Sequence, residues 1–314
     1  MEIAPFADEH LDDAAELLAE RHRRHRRVEP LLPSEPDFRA EIAAVLGKGT
    51  SGAVARRNGR VVGYVIGAPR SDEKWGSDNV WVEFAGHAVE QAEDVRDLYA
   101  AAAARWVDDG LMRHSTLVPA TDAELVDAWV RLGFGHQQAH GVREVAHEQV
   151  AIPEGFEIRE PDPSDIEGLI DVDLALPAHQ QLSPTFSGVS RTSREESREE
   201  WLSTLAGSEE EILIGYRGSK PVACWSITPT ERSEQHAGLA RPENSCYLAF
   251  AVTLPEARGS GIGVALTNAC LALAAEQGYD SMVTDWRVTN LLASRFWPKR
   301  GFRATFLRLY RSIP

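Results

Sequence analysis

The sequence predicts an α/β (α+β) chain of two tandem domains, each a mixed, mostly antiparallel sheet flanked by helices on both faces. Three observations carry that expectation. The chain has 314 residues, about twice the roughly 150 that one such domain needs. Its landmarks recur in order: Glu2-Ile3 matches Glu157-Ile158, the stretch 57–62 matches 217–222, Ala88-Val89 matches Ala251-Val252, Gly110 matches Gly278, and Gly133-Phe134 matches Gly301-Phe302. The offset starts at 155 and ends at 168 without ever shrinking, as expected of a duplicated unit. Finally, an apolar strand pattern over 246–252 runs through a glycine-rich turn into a helical pattern over 262–277.

In the first half a strand near Ile3 precedes an amphipathic helix over 8–26 and a second helix over 37–46. Strands follow over 52–57, 60–67 and 80–87, then an alanine-rich helix over 94–108 and a last helix over 123–132. The join lies near 148–155, where Pro153 and Gly155 interrupt regular structure. The first domain is therefore expected over 1–147 and the second over 155–314.

The second half repeats the pattern. Its strands are expected over 156–159, 211–217, 221–228, 245–252, 281–287 and 304–310, and its helices over 163–174, 193–205, 262–277 and 291–299. Between strand and helix stands Arg258-Gly259-Ser260-Gly261-Ile262-Gly263. Glycines let the backbone turn sharply and bring its N–H groups to a ligand, and the new helix points its positive end at the same place. The guest is an anion. A Walker loop is excluded because Val264 and Ala265 follow Gly263, and the dinucleotide fingerprint fails because Val264 stands where its third glycine belongs.

Arg258, Gly261 and Gly263 resemble the central signature of the GNAT N-acetyltransferase superfamily. The downstream strand over 281–287, Asn290, Ala293 and Gly301-Phe302 look like that family's second block. The resemblance implies acetyl-CoA as cosubstrate. The turn from Arg258 through Gly259, Ser260, Gly261 and Ile262 to Gly263 would hold its pyrophosphate, and backbone amides of Phe250, Ala251 and Val252 its pantetheine and thioester. Asn290 and Trp297 would belong to the same site, with Arg258, Lys299 and Arg300 available to phosphates. The first copy has lost the turn: residues 90–97 contain no glycine and four carboxylates, which would repel a polyphosphate. Residues 1–147 are therefore expected not to bind CoA, and to serve a structural or pocket-shaping role.

The family's chemistry is direct attack of a neutral amine on the thioester, followed by protonation of the departing thiolate. The usual acid, a Tyr seven positions after the block-two Asn, is replaced here by Trp297. Tyr247 is the first substitute and Tyr310 the second. Glu243 and Asp285 are the candidate bases, although Asp285 shares a strand face with Arg287. His179 and His236 fall in expected loops near the acceptor side.

The chain carries 33 basic and 48 acidic side chains, a formal charge of −15. The run over 21–27 is read as a solvated helix end and not a nucleic-acid site, while the acidic surface favours cationic amines through steering. Cys224, Cys246 and Cys270 stand singly with no metal spacing, no apolar leader is apparent, and no apolar stretch suffices for a membrane span. A cytoplasmic protein without metal or nucleic acid is expected. The sequence reading is an acetyl-CoA-dependent N-acetyltransferase acting on a small-molecule or peptide amine through its C-terminal domain. A non-catalytic acyl-CoA binding or sensor protein is the alternative, motivated by Trp297.

Overall fold

The structure is a computed structural model, and it describes residues 1–72, 76–187, 193–207 and 210–314. In chain order the elements are β1 (Glu2–Pro5), α1 (Leu11–Val28), α2 (Phe38–Val45), β2 (Ser51–Arg57), β3 (Arg60–Asp72), β4 (Gly76–Val82), β5 (His87–Val89), α3 (Asp94–Asp108), β6 (Arg113–Pro119), α4 (Ala123–Val130) and β7 (Gly135–Glu144). Then come β8 (Phe156–Arg159), α5 (Ile166–Gln180), α6 (Arg194–Ala206), β9 (Glu211–Arg217), β10 (Lys220–Pro229), β11 (Ser245–Thr253), α7 (Ile262–Glu276), β12 (Ser281–Arg287), α8 (Ala293–Lys299) and β13 (Arg303–Ser312).

Two compact units result, but they are not cut at one point. The first comprises Met1–Gly141, Ala237–Pro242 and Ala304–Pro314; the second comprises Val142–His236 and Glu243–Arg303. The last strand thus departs from the simple division expected near 148–155. It completes the first unit's sheet, with Phe306 opposite Pro119 and Ser312 opposite Arg113 on antiparallel β6. Nothing local in a strand states which sheet edge it will join, so the sequence pattern gave its existence but not its partner.

In the first unit the strand order is β1-β2-β3-β4-β6-β13-β7. One face packs α1 and α2 through Leu11, Leu18 and Ile42 against Tyr64, Ile66 and Phe306. The other packs α3 and α4 through Leu98, Trp106, Leu125 and Trp129 against Val62, Val80 and Leu309. Each such side chain contributes about 1.5–3 kcal/mol on full burial, and together they make the three-layer arrangement expected of amphipathic helices on a sheet. The single strand expected over 80–87 is two, because the chain turns between them with the Gly86 amide on the Glu83 carbonyl, 2.8 Å. A Cβ at Gly86 would stand 2.8 Å from the Ile66 oxygen.

The second unit orders β12-β11-β10-β9-β8. Its hairpins are antiparallel and β12 alone runs parallel to β11, the same arrangement as β4 beside β6 in the first unit. Helix α6 begins at Ser193, whose side chain accepts the Glu196 amide while Glu196 returns to the Ser193 amide, a capping box. Helix α5 extends beyond the expected 174 to Gln180, which carries His179 onto a helix and not a loop. No helix among the described residues is long and apolar enough to cross a membrane.

The basic run was expected to be a solvated helix end, and that is overturned for three of its members. Arg21, His22 and His25 are buried on the face of α1 that meets the sheet. Arg21 donates to the carbonyls of His87 and Phe84, and burial lowers its pKa to about 10. Arg21 and His22 lie four and three positions before His25, so the helical period places them on the core-facing stripe.

Candidate active site

The site begins where two strands part. β12 pairs with β11 for only three residues, from Ser245 with Ser281 to Tyr247 with Val283, although the strands continue to Arg287 and Thr253. Thr284 Oγ1 makes one further link to the Leu248 carbonyl at 3.0 Å. On its other side β11 slips register against β10: Ser226 faces Phe250 and Ile227 faces Leu248, which leaves Ala249 as a bulge. The β11 edge over 249–253 is therefore presented toward an opening between strands, with backbone groups that a ligand can satisfy.

β11 then feeds the glycine turn. Gly259 has φ 78° and Gly261 φ 93°, a left-handed conformation in which Gly261 caps α7. Helix α7 is seated closely on the sheet, since a Cβ at Gly215 of β9 would stand 2.8 Å from Ile262 Cγ1. The turn is held by its own short bonds: Ser260 Oγ donates to the Ala257 carbonyl at 2.7 Å, and Arg258 Nε to the Thr253 carbonyl at 3.1 Å. The amides at the start of this 15-residue helix point outward with the positive end of its dipole.

Turn and strand edge meet on one cavity of about 420 Å³, whose wall includes Ala251, Val252, Arg258, Gly259, Gly261, Gly263, Asn290 and Trp297. Trp225 closes one side. It is buried, and its Nε1 has no hydrogen-bond partner among the described residues, a donor left for a guest. A Cβ at Gly263 would come within 3.3 Å of the Trp225 ring. Asn290 Oδ1 caps α8 by accepting from the amides of Leu292 (3.1 Å) and Ala293 (3.3 Å). It also lies 3.3 Å from His179 Nε2. Trp297 is buried edge-on between Phe296 and Phe302. An extended ligand fits this arrangement: an anion on the turn, an apolar stem along the Trp225 and Phe296 walls, and a carbonyl at the strand edge.

Of the remaining sequence candidates, Ser260 turns its side chain back into the turn and Ile262 is buried beneath it. The Phe250 side chain lies on the other face of the sheet, with Ser226, while its backbone belongs to the β11 stretch beyond the last pair with β12. Trp225, Leu176 and Phe296 also form the wall and were missed. Their only sequence signal is membership of strand and helix patterns that also suit a core. Lys299 and Arg300 end α8 and are not among the residues that line the cavity. Tyr310, the second substitute acid, sits on β13 opposite Ser115 in the first unit.

Tyr247 and Asp285 are brought together. The Tyr247 hydroxyl donates to Asp285 Oδ1 at 2.8 Å, and His236 Nε2 stands 3.9 Å from the same oxygen with its ring 5.0 Å from that of Tyr247. Burial, reinforced by the Asp285 charge, lifts the Tyr247 pKa well above its ordinary value, so the phenol stays protonated. Burial holds His236 at about 4, with Asp285 opposing. Burial also lowers the Arg287 pKa, again opposed by Asp285. His236 is 1 % exposed, not the solvated loop residue that its surroundings in sequence suggest. Glu243 is exposed ahead of β11.

The first unit has its corresponding segment knotted into ion pairs. Glu90 bonds Arg60 (2.9 Å), Asp94 bonds Arg57 (2.8 Å), and Glu93 bonds Arg96 (2.6 Å) and Arg131 (2.7 Å). Arg21 also occupies the carbonyls of Phe84 and His87, the positions that align with Tyr247 and Phe250.

Residues 176–302 match the acetyltransferase (GNAT) family. The chain is similar in structure to a GCN5-related N-acetyltransferase from Sphaerobacter thermophilus, with a TM-score of 0.61 at 13% identity over 99% of this chain and 95% of that one. It is also similar to a glucosamine N-acetyltransferase region of a fungal multi-domain β-N-acetylglucosaminidase, with a TM-score of 0.55 at 16% identity over 98% of this chain and 38% of that one. At these identities the likeness is one of fold. No curated protein matches the sequence.

Proposed function

Because residues 176–302 match the acetyltransferase (GNAT) family, we propose that the second unit transfers an acetyl group from acetyl-CoA to a primary amine of a small molecule or peptide. The observation that carries this reading is the meeting of the unpaired β11 edge and the left-handed Gly261 turn on one cavity. Gly259, Gly261 and Gly263 present amides to the pyrophosphate, Arg258 adds a cation at the mouth, and Ala251 and Val252 offer backbone to the pantetheine and thioester. Asn290 and Trp297 form the facing wall.

In the transfer a neutral amine nitrogen forms a bond to the acetyl carbon, the carbon–sulfur bond breaks, the nitrogen loses a proton and the sulfur takes one. Asp285 is the base in this proposal and Tyr247 the acid, since their 2.8 Å bond lets a proton taken by the carboxylate replace one given by the phenol. Glu243 is exposed and has less support as the base; like it, Tyr247 and Asp285 are not among the residues that line the cavity, and their support is the bond between them. The ion-paired segment at Glu90, Glu93 and Asp94 supports a first unit that does not bind CoA. Trp297 at the usual acid position favours one second reading, an acyl-CoA binder without turnover. Following CoA thiol release from acetyl-CoA in the presence of an amine panel separates the two: amine-dependent release is expected, and binding without release would select the second.

A further inference from the structure

On the opposite face of the sheet from Trp225, a smaller cavity of about 110 Å³ lies under α5 and α6. Alternate residues of β10 divide the two spaces, Trp225 lining the first and Cys224 and Ser226 the second. Phe250, directly opposite Ser226 across the hairpin, brings the strand that borders the thioester opening onto this wall as well. Asp173, Glu200 and Glu210 converge on it. Burial raises the Glu200 pKa, and the charges of Asp173 and Glu210 raise it further, so a cation beside it would favour its charged form. The floor supplies an independent sign of a guest: Ser226 is 2 % exposed and its Oγ has no hydrogen-bond partner among the described residues. A buried hydroxyl without a partner can accept from an N–H donor that enters the cavity. Ser197 Oγ donates to Asp173 Oδ2 at 2.5 Å, which fixes that carboxylate on the cavity wall.

Resting on the acetyl-transfer reading, we infer that this cavity is the anchor for the second, non-reacting ammonium of the acceptor, and that the acceptor class is a linear diamine. The reacting nitrogen must be neutral to attack, so a trio of carboxylates suits a distal ammonium and not the nucleophile. The volume holds about three or four waters, enough for an ammonium and its last methylenes. The row Phe250, Ser226, Ile212 crosses β11, β10 and β9. With strands about 4.8 Å apart, the anchor lies about 5–10 Å from the β11 edge, which sets the separation of the two nitrogens.

The test compares 1,6-diaminohexane with hexylamine, which has a methyl where the second ammonium would be, at saturating acetyl-CoA. A preference for the diamine of at least about tenfold in kcat/KM, carried by KM, is expected. The double variant Glu200→Gln/Glu210→Gln, changed at two exposed positions, should bring the two amines together. Equal efficiency in the native protein overturns the anchor and leaves acetyl transfer standing. If neither amine is acetylated, transfer to such amines fails separately, and calorimetry of 1,6-diaminohexane on the acetyl-CoA-loaded protein still decides the anchor. Binding that the double variant loses supports it, and no binding, or binding the variant keeps, overturns it.

Discussion

Gly261 is where the cosubstrate account is most exposed to a quantitative challenge. Two substitutions, Gly261→Gln and Gly261→Glu, place side chains of nearly equal size at the same left-handed position, φ 93°, beside Pro153 Cγ at 3.2 Å from a Cβ. Both suffer about 1–2 kcal/mol of backbone strain, so their difference isolates charge. If a pyrophosphate lies on the turn, the carboxylate of the Glu variant meets two negative charges. At about 4 Å in a water-like dielectric each costs about 1 kcal/mol, and that dielectric is appropriate because Gly261 is exposed. A total of about 2 kcal/mol corresponds to a roughly 30-fold weaker Kd for Gly261→Glu than for Gly261→Gln. Fluorescence titration with acetyl-CoA reads this directly, since Trp225 and Trp297 line the cavity. The gap should narrow in 1 M salt, where the screening length falls to about 3 Å. Equal affinities for the two variants at low salt would refute the placement of phosphate charge on this turn.

Trp225→Phe keeps an aromatic wall but removes the Nε1 donor, and a loss of about 0.5–1.5 kcal/mol in acetyl-CoA binding is expected; an unchanged Kd by equilibrium dialysis would mean the donor is not used. Tyr247→Phe should slow amine acetylation by about 10²-fold or more, with acetyl-CoA affinity preserved; an unchanged turnover rate would remove Tyr247 from the mechanism. Because burial holds His236 at about 4 against an ordinary 6.5, the unfolded chain takes up that proton first. Its contribution is therefore fully present above pH 6.5 and is lost toward pH 4, by up to about 3 kcal/mol. Urea midpoints at pH 7 and pH 4.5 should fall less for His236→Gln than for the native chain, and equal falls would contradict this. His25 and His87, held at about 3 by burial, add loss in the same direction to both proteins.

What was legible in the sequence was chiefly local. The turn over 258–263, the strand before it and the helix after it each carry their own signal in glycine placement and apolar period, and Gly261 takes the left-handed conformation that such a turn requires. The duplicated order of strands and helices was legible because it repeats. The rest depended on what distant segments meet. The parting of β11 from β12 after Tyr247 has no residue signature. His236 and Arg21 look like surface residues until the fold covers them. Tyr247 and Asp285 were singled out separately, yet only the parallel register puts their side chains in contact. Trp225 and Ser226, adjacent in sequence, open onto different cavities because a strand alternates its faces, and the pattern alone does not say that either face is hollow.

The central claim is that one unit of the two holds acetyl-CoA. A calorimetric titration of acetyl-CoA into the full chain, fitted for stoichiometry, tests it most directly: one site per chain, lost in Gly261→Glu, is the predicted result. Two sites would show that the ion-paired Glu90 segment does not close the first unit, and no binding would contradict the acetyltransferase reading itself.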